Sequence, residues 1–177
     1  GYKYAQWGEG ACWMRVPTDD DARPRFTGWF SDFEHLHDKR DPSAPLRYGE
    51  RGAERFAGST FDPTSIYRAA RVARFFDDEG MSVEALRALS LSQTERLIGG
   101  LEGVLELISP RVPEARGGFV AFHAPRAHEW VTALRDRHLF VDARGDALRF
   151  GPAPYLTKVD IERAIEAVID VKRTREA

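Results

Sequence analysis

The sequence predicts an α/β chain in which residues 80–177 form an α+β unit of their own, and three observations carry that expectation. From residue 61 onward, segments with apolar residues at helical spacing alternate with short runs of β-type residues. Gly80, Pro110 and Pro125 punctuate that alternation where helices would stop or start. Residues 17–60, in contrast, carry Pro17, Pro24, Pro42 and Pro45 among many charges and show little periodicity. A structureless stretch beyond ~12–15 residues is unusual inside a compact domain. Such a stretch is functional, or it lies on surface that this chain does not itself supply.

Taken in order, "ACWMRVP" (11–17) reads as a short buried strand that Pro17 stops. Cys12 is then a small buried residue, and as the single cysteine it excludes an internal disulfide and a cysteine-rich metal site. "FDPTSIYRAARVARFFDDEG" reads as a helix over 61–79 with Asp62 as N-cap and Pro63 at its first position. Ile66, Ala69, Ala70, Ala73 and Phe76 mark one face, and Gly80 ends it. Residues 81–108 read as one longer helix, capped by Ser82, with Val83, Leu86, Leu89, Leu97, Leu101, Val104, Leu105 and Ile108 apolar. "GGFVAFH" (117–123) reads as a strand, and residues 125–138 as a helix with Trp130, Val131 and Leu134 inward. "LFVD" (139–142) and "ALRF" (147–150) read as strands joined by "ARGD". Thr157 caps the last helix, with Asp160 where a capping box prefers Glu or Gln. The expectation is a three-stranded sheet with helices on one side in 80–177, while residues 1–60 make no domain alone.

Composition narrows the function classes. The 42% of apolar residues supports a core, and 26 Lys and Arg set against 28 Asp and Glu leave a net charge of −2 with no basic block, which argues against nucleic acid. No apolar run approaches the ~18 residues of a membrane span. No segment has the charged-then-apolar layout of a secretory signal, so a cytoplasmic protein without membrane partners is expected. His35 and His37 in "EHLHDK" have no evident third ligand, so no metal site is expected and they read as a polar loop.

Five segments in order carry a resemblance. "YKYAQWGEG" resembles the Schiff-base lysine motif of the kynureninases, within the class V branch of fold-type-I pyridoxal phosphate enzymes. "GWF" (28–30), "RFAGST" (55–60), "RGGFVAF" and "HLFVDARGDALRFGPAPYLT" resemble later elements of that group, so the likeness covers nearly the whole chain. The resemblance implies the C-terminal part of such an enzyme: the end of the large cofactor domain in 1–79 and the small domain in 80–177. It implies a homodimer, with the N-terminal part of the same enzyme supplying the rest of the cofactor site. This chain alone would not make a complete active site.

The resemblance also assigns roles. Lys3 would carry pyridoxal 5'-phosphate and shuttle protons at the substrate α-carbon, since an amine freed from the cofactor stands next to that carbon. Tyr2, Trp29, Ser59 and Thr60 would contact the cofactor, the last two in the neighbouring subunit. Arg149 in "LRFGPAP" would hold the α-carboxylate of an amino-acid substrate through its guanidinium fork. Taken alone, Lys3 is a solvated lysine, Trp29 a core or interface aromatic, and Thr60 a turn residue capping the next helix. Arg55 and Arg116 read as structural. Ala5-Gln6-Trp7 and "STFDP" depart from the usual kynureninase pattern. Cβ–Cγ hydrolysis of the kynureninase kind therefore stands beside C–S lyase, aminotransferase and epimerase chemistry. A non-catalytic interaction module is the reading from another class.

Overall fold

The computed structural model describes residues 1–19, 22–39, 41–45, 47–48 and 52–176. It divides into two compact units, Gly1–Asp78 and Glu79–Ala177.

In the second unit, α2 (Val83–Leu101) leads through a short strand, β1 (Glu106–Leu107), to β2 (Val120–His123). Then follow α3 (Ala127–Arg135), the hairpin of β3 (Asp142–Arg144) and β4 (Ala147–Phe150), and α4 (Lys158–Glu176). The sheet is antiparallel throughout in the order β1-β2-β4-β3. β2 and β4 pair centrally, with Val120 opposite Phe150 and Phe122 opposite Leu148. Val120, Phe122, Leu148 and Phe150 are buried, with Leu97, Leu101, Trp130, Leu134, Ile161 and Val168 from the helices completing one core. Arg149 alternates with the buried Leu148 and Phe150, so it stands on the sheet face opposite the helices.

The helix caps form as the residue types require. Ser82 Oγ accepts the Ala85 N–H at 3.2 Å. At α4, Asp160 accepts the Thr157 N–H at 2.8 Å while the Thr157 hydroxyl oxygen accepts the Asp160 N–H at 3.3 Å. A capping box thus closes with Asp in place of Glu.

Several expectations are corrected. The sheet has four strands rather than three, because residues 81–108 are not one helix. Gly103, at φ 78°, turns the chain after Leu101 and frees residues 106–107 to pair with β2. The third strand begins at Asp142, not Leu139, because Gly145 at φ 57° makes a two-residue turn that sets Arg144 opposite Ala147. The helix after β2 starts at Ala127, not Pro125, since Arg126 is left-handed at φ 58°. Residues 11–17 form no strand, and Cys12 is exposed rather than buried. Among the described residues of their own unit they find no neighbouring strand, and only Ala11 among them is buried.

The first unit contains α1 (Thr64–Asp78) and two 3-10 turns, Trp29–His35 and Glu54–Phe56. Part of the aperiodic stretch 17–60 lies outside the described residues. Among the described residues of Gly1–Asp78, only Ala11, Ser31 and Asp32 are buried. Tyr4, Trp13, Phe26, Phe61 and Tyr67 are all exposed. α1 buries none of its residues, although its apolar side chains recur at helical spacing. The described residues of Gly1–Asp78 therefore form no hydrophobic core of their own. Among the described residues no helix is long and apolar enough to cross a membrane.

Candidate active site

The segment around Lys3 is a looped turn. The Gln6 N–H donates to the Lys3 carbonyl at 3.2 Å and the Trp7 N–H to the Gly1 carbonyl at 3.1 Å. Gly8 at φ 78° and Gly10 at φ 87° take conformations that side chains resist. From α1, Arg68 donates to the Trp7 carbonyl at 3.1 Å and the Glu9 carbonyl at 2.5 Å. A Cβ on Gly8 would lie 2.5 Å from that guanidinium, so the glycine is what lets Arg68 reach in. Lys3 itself is exposed, with Nζ 5.7 Å from the Tyr2 ring centroid.

Trp29, Ser59 and Thr60 belong to two segments that dock by backbone. The Gly28 N–H donates to the Ala57 carbonyl at 3.2 Å and the Phe30 N–H to the Gly58 carbonyl at 3.0 Å. The approach is so close that a Cβ on Gly28 would sit 2.1 Å from the Gly58 carbonyl carbon. Trp29, stacked on Phe30 at 4.4 Å between centroids, is thereby held beside the chain that runs into Ser59 and Thr60. Thr60 does not cap α1. Asp62 does so, accepting the Thr64 N–H at 2.9 Å and hydroxyl at 2.6 Å, and these bonds hold its carboxyl below the usual range. The exposed Ser59 and Thr60 hydroxyls are left without a partner among the described residues.

Arg149 lies in the other unit, on β4. Asp142, directly opposite it on β3, accepts from its Nη2. The Phe119 ring lies 5.2 Å from its guanidinium carbon, and its Nε is enclosed without a hydrogen-bond partner among the described residues. Burial pushes the Asp142 carboxyl up, but the Arg149 hydrogen bond and the charges of Arg144 and Arg149 outweigh it and hold the group below its ordinary value. Asp142, Phe119 and Arg68 escaped the reading of the sequence. Only Asp142 left a signal there, since a two-residue turn over Gly145–Asp146 sets it across from Arg149.

Arg116 is buried and donates to Glu95 at 2.7 Å, while Arg87 ties down the carbonyls of Pro113 and Arg116. Arg55 donates to the Ala22 carbonyl at 3.5 Å. Both arginines anchor loops. His35 Nδ1 lies 2.6 Å from Oδ1 of the buried Asp32, and Arg47 stands 3.7 Å from the other oxygen. Among the described residues no three His, Cys, Asp or Glu side chains converge as metal ligands.

Residues 86–168 match the family model of the kynureninase C-terminal domain. That match lies within the second unit. The chain is 30% identical to a kynureninase of Stenotrophomonas maltophilia, over 94% of this chain and 42% of the relative. It is 27% identical to a kynureninase of Pseudomonas fluorescens, over 96% of this chain and 42% of the relative. It thus spans 42% of the length of these kynureninases. Among solved structures, a cysteine desulfurase from Thermococcus onnurineus superposes with a TM-score of 0.61 at 16% identity, over 72% of this chain and 35% of that one. A NIFS-like protein gives 0.55 at 19% identity, over 77% and 41%. At such identities these two likenesses speak for the fold, that of the small domain of fold-type-I enzymes, and not for the reaction. The kynureninase-like recognition and the fold class expected from the sequence both hold, with the strand count corrected.

Proposed function

We propose that this chain is the C-terminal part of a pyridoxal phosphate enzyme that acts on an α-amino acid in the kynureninase manner, with hydrolytic cleavage of the Cβ–Cγ bond. The observation that carries the reading is the braced guanidinium of Arg149, a half-buried fork on the sheet within the segment that matches the kynureninase C-terminal domain. A guanidinium so held can donate hydrogen bonds to an α-carboxylate and fix the orientation of the bonds at Cα.

The residues of the first unit suit the cofactor. The Lys3 amine is exposed, the hydroxyls of Ser59 and Thr60 are free among the described residues, and the Gly28–Gly58 approach keeps Trp29 beside them. Lys3 would hold the cofactor through Nζ, and Tyr2, Trp29, Ser59 and Thr60 its phosphate. Pyridoxal phosphate, when bound, supplies an electron sink for the bond broken at the substrate α-carbon. Lys3 takes the Cα proton and returns it, and Arg149 keeps the carboxylate fixed meanwhile. The departures at Ala5-Gln6-Trp7 and "STFDP" favour a second reading, a β-substituted or sulfur-bearing substrate whose Cβ–S bond is broken instead.

The coreless first unit supports two partners: the N-terminal part of the same enzyme, and a second copy whose phosphate site receives Ser59 and Thr60. Exposed Trp13, Phe26 and Tyr67 are the kind of surface that such partners cover. The cytoplasm is the proposed compartment. The full-length enzyme, incubated with pyridoxal phosphate, is expected to absorb in the imine band and to lose that band in Lys3→Ala. L-Kynurenine and a set of β-substituted amino acids then separate the two reactions by product analysis. A full-length protein without cofactor absorbance would leave the interaction-module reading in its place.

A further inference from the structure

We propose that Asp142 is a positioning residue for the substrate carboxylate, holding Arg149 by its Nη2 edge so that the Nη1 side faces the ligand. The inference rests on the proposed role of Arg149 and adds a residue to it. Asp142 and Arg149 are direct cross-strand partners, and both stand on the sheet face away from the helices. Three restraints meet on one guanidinium. Asp142 takes one edge, the Phe119 ring lies 5.2 Å from its carbon, and Nε is shut in without a hydrogen-bond partner among the described residues.

An unrestrained surface arginine samples many rotamers and loses them when it binds. Arg149, with its side chain 33% exposed, has already lost them. Its Nη1 makes no hydrogen bond or ion pair among the described residues, so the end of the fork stays available. Arg144 Nη2 lies 3.8 Å from the same Asp142 oxygen, so two cations hold the carboxylate ionised in place. A planar fork gains its advantage over an ammonium only when its orientation is set beforehand.

The test uses the full-length enzyme reconstituted with pyridoxal phosphate. L-Alanine and ethylamine are titrated while the cofactor absorbance is followed. Both carry the amine and only L-alanine the carboxylate, so their affinity ratio isolates the clamp. Asp142→Ala is expected to weaken L-alanine by about tenfold or more, with ethylamine unchanged, because the guanidinium then swings free. Asp142→Glu should recover part of the loss. Asp142→Asn keeps the side-chain shape, guards against a folding failure, and should lie between. The inference is overturned if folded Asp142→Ala or Asp142→Asn binds L-alanine as the wild type does. It is overturned equally if binding tightens, because Asp142 would then be competing for the fork. Arg149→Ala is the reference. If it leaves the ratio intact, the carboxylate role of Arg149 falls and this inference with it; if it abolishes the ratio while the Asp142 variants do not, only this inference falls.

Discussion

Gly28→Ala should unseat the candidate phosphate-binding segment without touching any side chain assigned to it. The backbone of Gly28, at φ −92° and ψ 176°, is extended and open to alanine, so conformational strain is no part of the effect. The contact is. The added methyl would lie 2.1 Å from both the carbonyl carbon and the oxygen of Gly58. Carbon atoms in contact sit at ~3.5–4.0 Å, so the two segments must part by more than ~1 Å. The hydrogen bonds now at 3.2 Å to Ala57 and 3.0 Å to Gly58 would then break. At about 0.5–1.5 kcal/mol each, the local loss is about 1–3 kcal/mol. Gly58→Ala is the control, because a Cβ there meets nothing within 4 Å. Pyridoxal phosphate affinity of the full-length enzyme, measured by equilibrium titration alongside thermal melts, is the assay. Gly28→Ala should weaken the cofactor by about fivefold to 150-fold, which is the affinity equivalent of that loss. Gly58→Ala should stay near wild type. Equal affinities for wild type and Gly28→Ala, or equal damage from the two substitutions, would refute the reasoning.

Lys3→Ala in the full-length enzyme should remove the borohydride-trappable cofactor and nearly all turnover, while phosphate-mediated binding persists; a trappable cofactor with normal turnover would sink the reading of Lys3. Arg149→Ala should leave the cofactor absorbance intact and weaken substrate by about 1.5–3 kcal/mol, the size of a charge-assisted hydrogen bond, with Arg149→Lys only partly restoring it in steady-state kinetics. Leu148 is fully buried at the centre of the sheet, so Leu148→Ala should cost about 2–5 kcal/mol in chemical denaturation. Asp160 is held below its ordinary value by the Thr157 hydroxyl and then by the Thr157 backbone N–H. Its stabilising contribution is therefore fully present above the unfolded carboxylate value of ~3.9 and is lost as pH falls through the lower folded value. Melting temperatures of wild type and Asp160→Asn should accordingly converge on acidification; a constant gap would contradict the cap.

Much of the second unit was legible from local chemistry. Helix α4 begins where Thr157 and Asp160 can cap it, and β4 occupies the residues its alternation marks, because both signals act within a few positions of the chain. The roles proposed for Lys3, Trp29, Thr60 and Arg149 rest on ordered motifs rather than on any single residue, and the substitutions above are their test. Local spacing failed where a long-range contact decides. The apolar residues of 104–108 fit a helix as well as a strand, and pairing with β2 resolves the choice. "ACWMRVP" fits a buried strand, yet a strand needs a neighbour, and the described residues of the first unit offer it none. The partnership of Asp142 with Arg149, the reach of Arg68 to the turn after Lys3, and the contact of Gly28 with Gly58 depend on register and approach. Composition and periodicity carry no information on either, because those contacts join residues that the chain folds together and does not string together.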